Sequence, residues 1–270
     1  MTDLERVRDS YIKLLIKSLL NEIYPDSEQG QVSGTNGLKI FIKNVIEKFG
    51  YKLVRPVTKD QRQNGTFWPM YAHTMVGQER LKNLRTCLED VIQKSIPGDF
   101  IETGVWRGGS CILAKGIFNA YGEKRKVFVA DSFAGLPEGT VGVDSKSAVG
   151  NLYKVDLLAI SVDEVKANFN TYSLLDDSVI FLKGWFKDTL PTISQDQRFA
   201  VVRLDGDMYE STRDAIVALY PKLSNGGYLI VDDYHDIEAC KTAIDEYRQQ
   251  NNIIEPVMNI DTNGVYWQKV

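Results

Sequence analysis

FAVVRLDGDMYEST, residues Phe199 to Thr212, is the stretch on which the reading of the fold turns. Its apolar residues Phe199, Ala200, Val201, Val202 and Leu204 stop abruptly at Asp205, Gly206 and Asp207. A short, nearly unbroken apolar run predicts a strand buried on both faces, here delivering two carboxylates at its carboxyl end. The pattern recurs one strand-helix unit later in GYLIVDDYHD, Gly227 to Asp236, which ends in Asp232 and Asp233. Parallel neighbours would put both acidic ends on the sheet edge where open α/β proteins bind ligands. Four carboxylates gathered there repel one another, so the cluster calls for a cation or a bound proton.

Working outward, the strand-helix alternation is regular from Phe100 onward. Strands are expected in FIETGV (from Phe100), KVFVADSF (from Lys126) and VIFLKGWF (from Val179), with helices over Ser110 to Tyr121, Ser161 to Tyr172, Tyr209 to Leu223 and Ile237 to Gln250. The chain closes on PVMNID, an Asn263-Gly264 turn and VYWQKV, which predicts a β-hairpin. The sum is a doubly wound, mostly parallel α/β sheet with an antiparallel strand inserted at one edge. Residues 134–155, AGLPEGTVGVDSKSAVGNLYKV, are too long and Gly/Ser-rich for an ordinary connection and read as an active-site cover, with a plain insertion as the alternative.

Residues 1–77 differ in character from 78–270. Leu4, Val7, Tyr11, Leu14, Leu15, Ser18 and Leu19 recur at helical spacing, widened by Ile12, Ile16 and Ile23. This helix is expected to dock either on the main domain or on a second subunit, and the second alternative would give a homodimer or higher homo-oligomer. Residues 24–37 read as a loop, 38–49 as a second helix, and 55–77 as a turn-rich segment whose aromatics Phe67, Trp68 and Tyr71 suit either core anchors or a lid over substrate.

The 270 residues carry 43% hydrophobic and 25% charged side chains, the balance of a soluble globular protein able to bury a large core. A net charge of -4 without a basic stripe argues against nucleic acid as partner. Cys87, Cys111 and Cys240 lack CxxC spacing, and two histidines are too few to complete a zinc site. Without a signal peptide or a long apolar run, a cytoplasmic protein with no membrane partner is expected.

The first strand and turn, DFIETGVWRGGSCILA from Asp99, does not meet the dinucleotide pattern GxGxxG. It carries Glu102 at the strand end instead. A carboxylate there disfavours a pyrophosphate but suits a cofactor with an ammonium or sulfonium group. The second strand ends in Asp131, placed to take both ribose hydroxyls. Together these point to S-adenosylmethionine. Gly184, Trp185 and Phe186, ending the third strand, offer a stacking face for adenine or, equally, core packing.

IETGVWRGG, VADSFAGLP, GWFKDTLP, RLDGDMYEST, LYPKLSNGGYLIVDDYHD and GVYWQKV, together with HTMVGQERLKNL (His73 to Leu84), resemble the TylF family. These are the macrocin-type, metal-dependent sugar O-methyltransferases of macrolide and aminocoumarin tailoring. The resemblance implies a class I methyltransferase fold (Rossmann-like, with a seven-stranded sheet), S-adenosylmethionine, Mg2+, a small-molecule glycoside acceptor and a mobile N-terminal region over the site. The match is loose over 25–37 and 55–64, where acceptor selectivity is expected to reside.

On this reading the cofactor set is Glu102, Thr103, Gly104, Val105, Gly108, Gly109, Ser110, Asp131, Ser132, Gly184, Trp185, Phe186 and Asp205. Asp205, Asp232 and Asp233 are the expected metal ligands, and oxygen-only ligation favours Mg2+ over zinc. Asp207 is the first choice for the general base, with Asp205 as ligand and base together the alternative. Tyr209 and His235, beside the acidic ends, are placed to contact the acceptor, and His235 reads equally as a surface histidine after the strand. Three rivals stand beside this reading: a nicotinamide-dependent sugar dehydrogenase, disfavoured by the absent GxGxxG; a non-catalytic scaffold, disfavoured by the intact acidic positions; and a metal-dependent methyltransferase of catechols or other vicinal diols.

Overall fold

The computed structural model describes residues 1–24, 29–31, 37–51, 54–139, 142–146 and 148–270. Seven strands form its main sheet: β1 (Asp99–Thr103), β2 (Val127–Asp131), β3 (Val179–Lys183), β4 (Phe199–Leu204), β5 (Leu223–Val231), β6 (Met258–Asn259) and β7 (Val265–Gln268). Their spatial order is β3-β2-β1-β4-β5-β7-β6. The first five run parallel, β7 is inserted antiparallel beside β5, and β6 pairs antiparallel with β7. The expected doubly wound sheet and terminal hairpin are both present. The order reverses between β1 and β4, so the crevice for ligands opens beyond the carboxyl ends of these two strands.

Side-chain alternation along the strands divides the core into two layers. Phe100, Val127, Val129, Val201 and Ile230 face one side, where they meet α1 (Asp3–Leu19), α2 (Gln78–Gln93), α3 (Gly109–Tyr121) and α4 (Val162–Thr171). Ile101, Phe128, Val202, Leu229 and Val231 face the other, against α5 (Tyr209–Leu219) and α6 (Glu238–Gln250). Helix α1 begins in a capping box made by Thr2 and Glu5. Its buried residues, Ile12, Leu15, Ile16 and Leu19, are shared with the first core layer, so it packs on the sheet domain rather than standing apart. Of the stripe read from sequence, Leu4, Val7, Tyr11, Leu14 and Ile23 remain exposed.

Two elements differ from expectation in detail. Helix α5 stops at Leu219, because Pro221 turns the chain into a short 3-10 segment, Tyr220–Lys222, ahead of β5. The 134–155 segment holds a five-residue helix, Gly142–Lys146, and a 3-10 turn, Ala148–Lys154, within its described part. Most of the expected loop 24–37 lies outside the described residues. The 55–64 stretch contains the capped helix Lys59–Asn64, closed by Gly65 in the left-handed conformation.

Candidate active site

The sheet ladder runs past the strand ends and fixes the acidic positions. Asp205 N–H donates to the Thr103 carbonyl and Asp232 N–H to the Leu204 carbonyl, each at 2.9 Å. Beyond Asp205 the chain leaves the ladder at Gly206, and Asp207 takes a left-handed backbone with φ 54. A non-glycine residue in that region is strained and is held by its surroundings. Trp106 and Phe133, in the turns after β1 and β2, are in the same region with φ 47 and 54.

Carboxylate oxygens of Asp205, Asp207 and Asp233 lie within 4.8 Å of one another. Oδ2 of Asp233 is buried with no hydrogen-bond partner among the described residues. Burial and the neighbouring carboxylates push Asp205 up to about 6 and Asp207 up to about 8, and raise Asp233 well above the usual carboxylate range. A hard, oxygen-seeking divalent cation fits this donor set, because it would displace the protons and use the orphaned oxygen. Asp205 and Asp233 belong both to the expected metal set and to this cluster. Asp232 has different partners. Its two oxygens accept from Arg80 and Arg203, and despite burial these guanidiniums hold it below its ordinary value.

Arg203 organises the floor of the site. It is 2% exposed and pairs with carboxylates on three adjacent strands: Glu102, Asp205 at 2.8 Å, and Asp232. Arg80, from α2, links Asp232 to Asp261 in the terminal hairpin, the latter at 2.8 Å. Sequence reading missed both cations. A lone arginine inside the apolar run FAVVRL is the signal that could have found the first, since a buried charge must be paired.

Two cavities meet at the acidic cluster. One, of about 190 Å³, is bounded by Gly104, Asp131, Ser132, Trp185, Phe186 and the start of the 134–155 segment. The other, of about 230 Å³, is bounded by Phe67, Trp68, Arg80, Ser110, Asp233 and Asn263. Met75, Trp106, Leu158, Asp205 and Asp207 line both. Asp131 keeps the first turn in place by accepting from the N–H groups of Val105 at 2.8 Å and Phe133 at 2.7 Å, and burial raises its pKa. Gly104 allows that turn to cross β4: a Cβ there would stand 1.7 Å from the Asp205 carbonyl oxygen.

Several expected site residues are used differently. Glu102 is buried against Arg203 and accepts from the Cys111 thiol at 2.8 Å, and it borders the second cavity rather than the first. Burial pushes its carboxyl up to about 7 against the pull of Arg203. Thr103 is fully buried, and Gly108 and Gly109 are glycines for packing: a Cβ on Gly108 would meet Val165 at 2.8 Å and one on Gly109 the His73 carbonyl at 2.5 Å. Val105 and Ser110 border the second cavity. Tyr209 and His235 line neither cavity. The Tyr209 hydroxyl donates to Glu246 at 2.5 Å, and exposed His235 bonds Asn259 at 2.9 Å, because both side chains turn from the edge toward their own flanking elements.

The family model for macrocin-O-methyltransferase (TylF) matches residues 8–269. Demethyldecarbamoylnovobiocin O-methyltransferase of Streptomyces niveus is 45% identical over 261 residues, 96% of this chain and 93% of its own. Mycinamicin III 3''-O-methyltransferase of Micromonospora griseorubida is 42% identical over 264 residues, 96% of each chain. Among solved structures, the O-methyltransferase NovP matches with a TM-score of 0.84 at 44% identity, over 97% of this chain and 99% of that one. CalS11, a calicheamicin methyltransferase, matches at 0.55 with 17% identity over 96% and 91%, a likeness of fold alone.

Proposed function

Because this chain belongs to the macrocin O-methyltransferase (TylF) family and is an O-methyltransferase, we propose that it methylates a sugar hydroxyl of a glycosylated natural product, with S-adenosylmethionine as donor and Mg2+ at the acidic edge. The observation that carries this reading is the meeting of two cavities at Asp205 and Asp207. The first takes the cofactor, with Asp131 toward the ribose and Trp185 and Phe186 toward the adenine. The second takes the acceptor, with Phe67 and Trp68 offering apolar faces to a sugar ring and Asn263 a polar group. On this reading the 55–77 segment is the acceptor's cover, and the enzyme works in the cytoplasm. Three buried free cysteines are in keeping with a reducing compartment.

Asp205, Asp232 and Asp233 would hold the cation. Asp232 is the carboxylate already ionised, and its two arginine contacts leave lone pairs unused. A bound Mg2+ lowers the pKa of a hydroxyl beside it, and the cofactor's sulfonium supplies a methyl group for in-line transfer. Asp207 sits outside the ladder, between the two cavities, and takes the acceptor's hydroxyl proton as general base. Burial and the surrounding carboxylates hold a proton on Asp207 in the cation-free site, and the charge of a bound cation would release it and leave the carboxylate ready to act as base.

Asp207→Asn is expected to keep cation and S-adenosylhomocysteine binding by calorimetry while lowering kcat by about 10²–10⁴-fold. Asp232→Asn is expected to weaken cation binding. The observed grouping of Asp207 with Asp205 and Asp233 favours a second reading, in which Asp207 is itself a ligand. Loss of cation binding in Asp207→Asn with retention in Asp232→Asn would establish that reading. A labelled-methyl screen against glycosides and catechols names the acceptor class. Transfer to catechols alone would overturn the sugar assignment.

A further inference from the structure

Helix α5 starts two residues after Asp207, and its first N–H groups have no partner within the helix. Its N-cap is Met208, whose side chain makes no capping bond. The cap comes from 65 residues away: Tyr209 N–H donates to Asp144 Oδ1 at 2.8 Å, and Glu210 N–H to Asp144 Oδ2 at 3.1 Å. Asp144 lies on the short helix Gly142–Lys146 in the 134–155 segment and is 1% exposed, although both its chain neighbours are exposed. The segment folds closely around it. A Cβ on Gly150 would stand 2.3 Å from the Asp144 carbonyl oxygen.

We propose that Asp144 is a latch and positioning residue, tying the described part of the 134–155 segment to α5 beside the first cavity and fixing the turn that carries Asp207. Gly135, Leu136 and Pro137 on the segment line that cavity, as do Glu210, Ser211 and Asp214 on α5. The bond from Asp144 therefore ties the segment to α5, and both contribute residues to the lining of the cavity. Among the described residues, two further bonds hold the chain at and just beyond the ends of the segment: Ser132 Oγ donates to the Gly135 carbonyl at 2.6 Å, and Trp106 Nε1 to the Leu157 carbonyl at 2.9 Å. Neither reaches α5. Two N–H donors at a positive helix end suit a carboxylate, and water can replace it when the segment lifts, so the latch is reversible. Asp144 touches no reacting group. It acts through the geometry of Asp207, whose left-handed backbone requires support from its surroundings.

The retention of cofactor rests on the reading of the first cavity given above, and the test separates the two. In Asp144→Ala, S-adenosylhomocysteine is expected to dissociate about tenfold faster, followed by the fluorescence of Trp106 and Trp185, as befits loss of a helix cap. Asp144→Asn keeps one acceptor oxygen and is expected to recover part of the effect. Protease cleavage within 134–155 should accelerate in Asp144→Ala, with the far-UV circular dichroism spectrum unchanged. Wild-type dissociation and wild-type cleavage in Asp144→Ala would overturn the latch. If the wild-type protein bound no S-adenosylhomocysteine, the cofactor reading would fail, and cleavage alone would decide: faster in the variant sustains the latch, equal rates overturn it.

Discussion

Arg203 is a full positive charge near the carboxyl end of a strand whose other residues are apolar, and it is paired with Glu102, Asp205 and Asp232. Those three carboxylates stand at the ends of β1, β4 and β5, so one guanidinium joins the neighbouring strands where their repulsion is strongest. Removing it leaves buried carboxylates without their counter-ion. Arg203→Met is expected to destabilise the protein by about 3–5 kcal/mol in urea unfolding, the cost of breaking a buried pair from one side. Arg203→Lys keeps the charge but not the planar fork, and should recover only part of the loss. A stability equal to wild type in Arg203→Met would show that the network does not hold the strand ends together. Asp207 is the complementary case, a carboxylate with a strained backbone and no arginine partner among the described residues, lining both cavities.

At the level of elements, the turn from β1 to α3 is set by Gly104. Its φ of +81 and the 1.7 Å approach of a hypothetical Cβ to the Asp205 carbonyl leave no room for a side chain. Gly104→Ala is expected to push the turn off β4, to lower stability by about 1–3 kcal/mol, and to impair S-adenosylhomocysteine binding by calorimetry. Helix α1 offers a contrast between two leucines on one element. Leu19 is fully buried, whereas Leu14 is 57% exposed. Leu19→Ala should cost about 2–5 kcal/mol in chemical denaturation. Leu14→Ala should change stability by no more than about 0.5 kcal/mol. Equal effects would mean that α1 does not dock as the shared core indicates.

For the molecule as a whole, a cation that binds the folded acidic edge must also stabilise the fold. Mg2+ is expected to raise the thermal midpoint in a concentration-dependent way, reaching about 2.7 kcal/mol at a hundred times its Kd. Asp205→Asn should lose that dependence, and a chelator should abolish methyl transfer by the wild type. A midpoint indifferent to Mg2+ would sink the cation site. No helix among the described residues is long and apolar enough to cross a membrane. The amino-acid sequence by itself determined the strand-helix alternation, the terminal hairpin and the acidic ends of β4 and β5, because apolar runs, turn residues and periodicity act between near neighbours. It also carried the family in its motifs. Tertiary structure alone decided which carboxylates face one another and which are neutralised. Glu102 meets an arginine 101 residues away, Asp232 one 152 residues away, and Asp144 caps a helix 65 residues downstream. Tyr209 and His235 sit next to the acidic ends in sequence yet turn away from them. Side-chain direction and the choice of counter-ion depend on partners that only the closed sheet brings within a few ångströms.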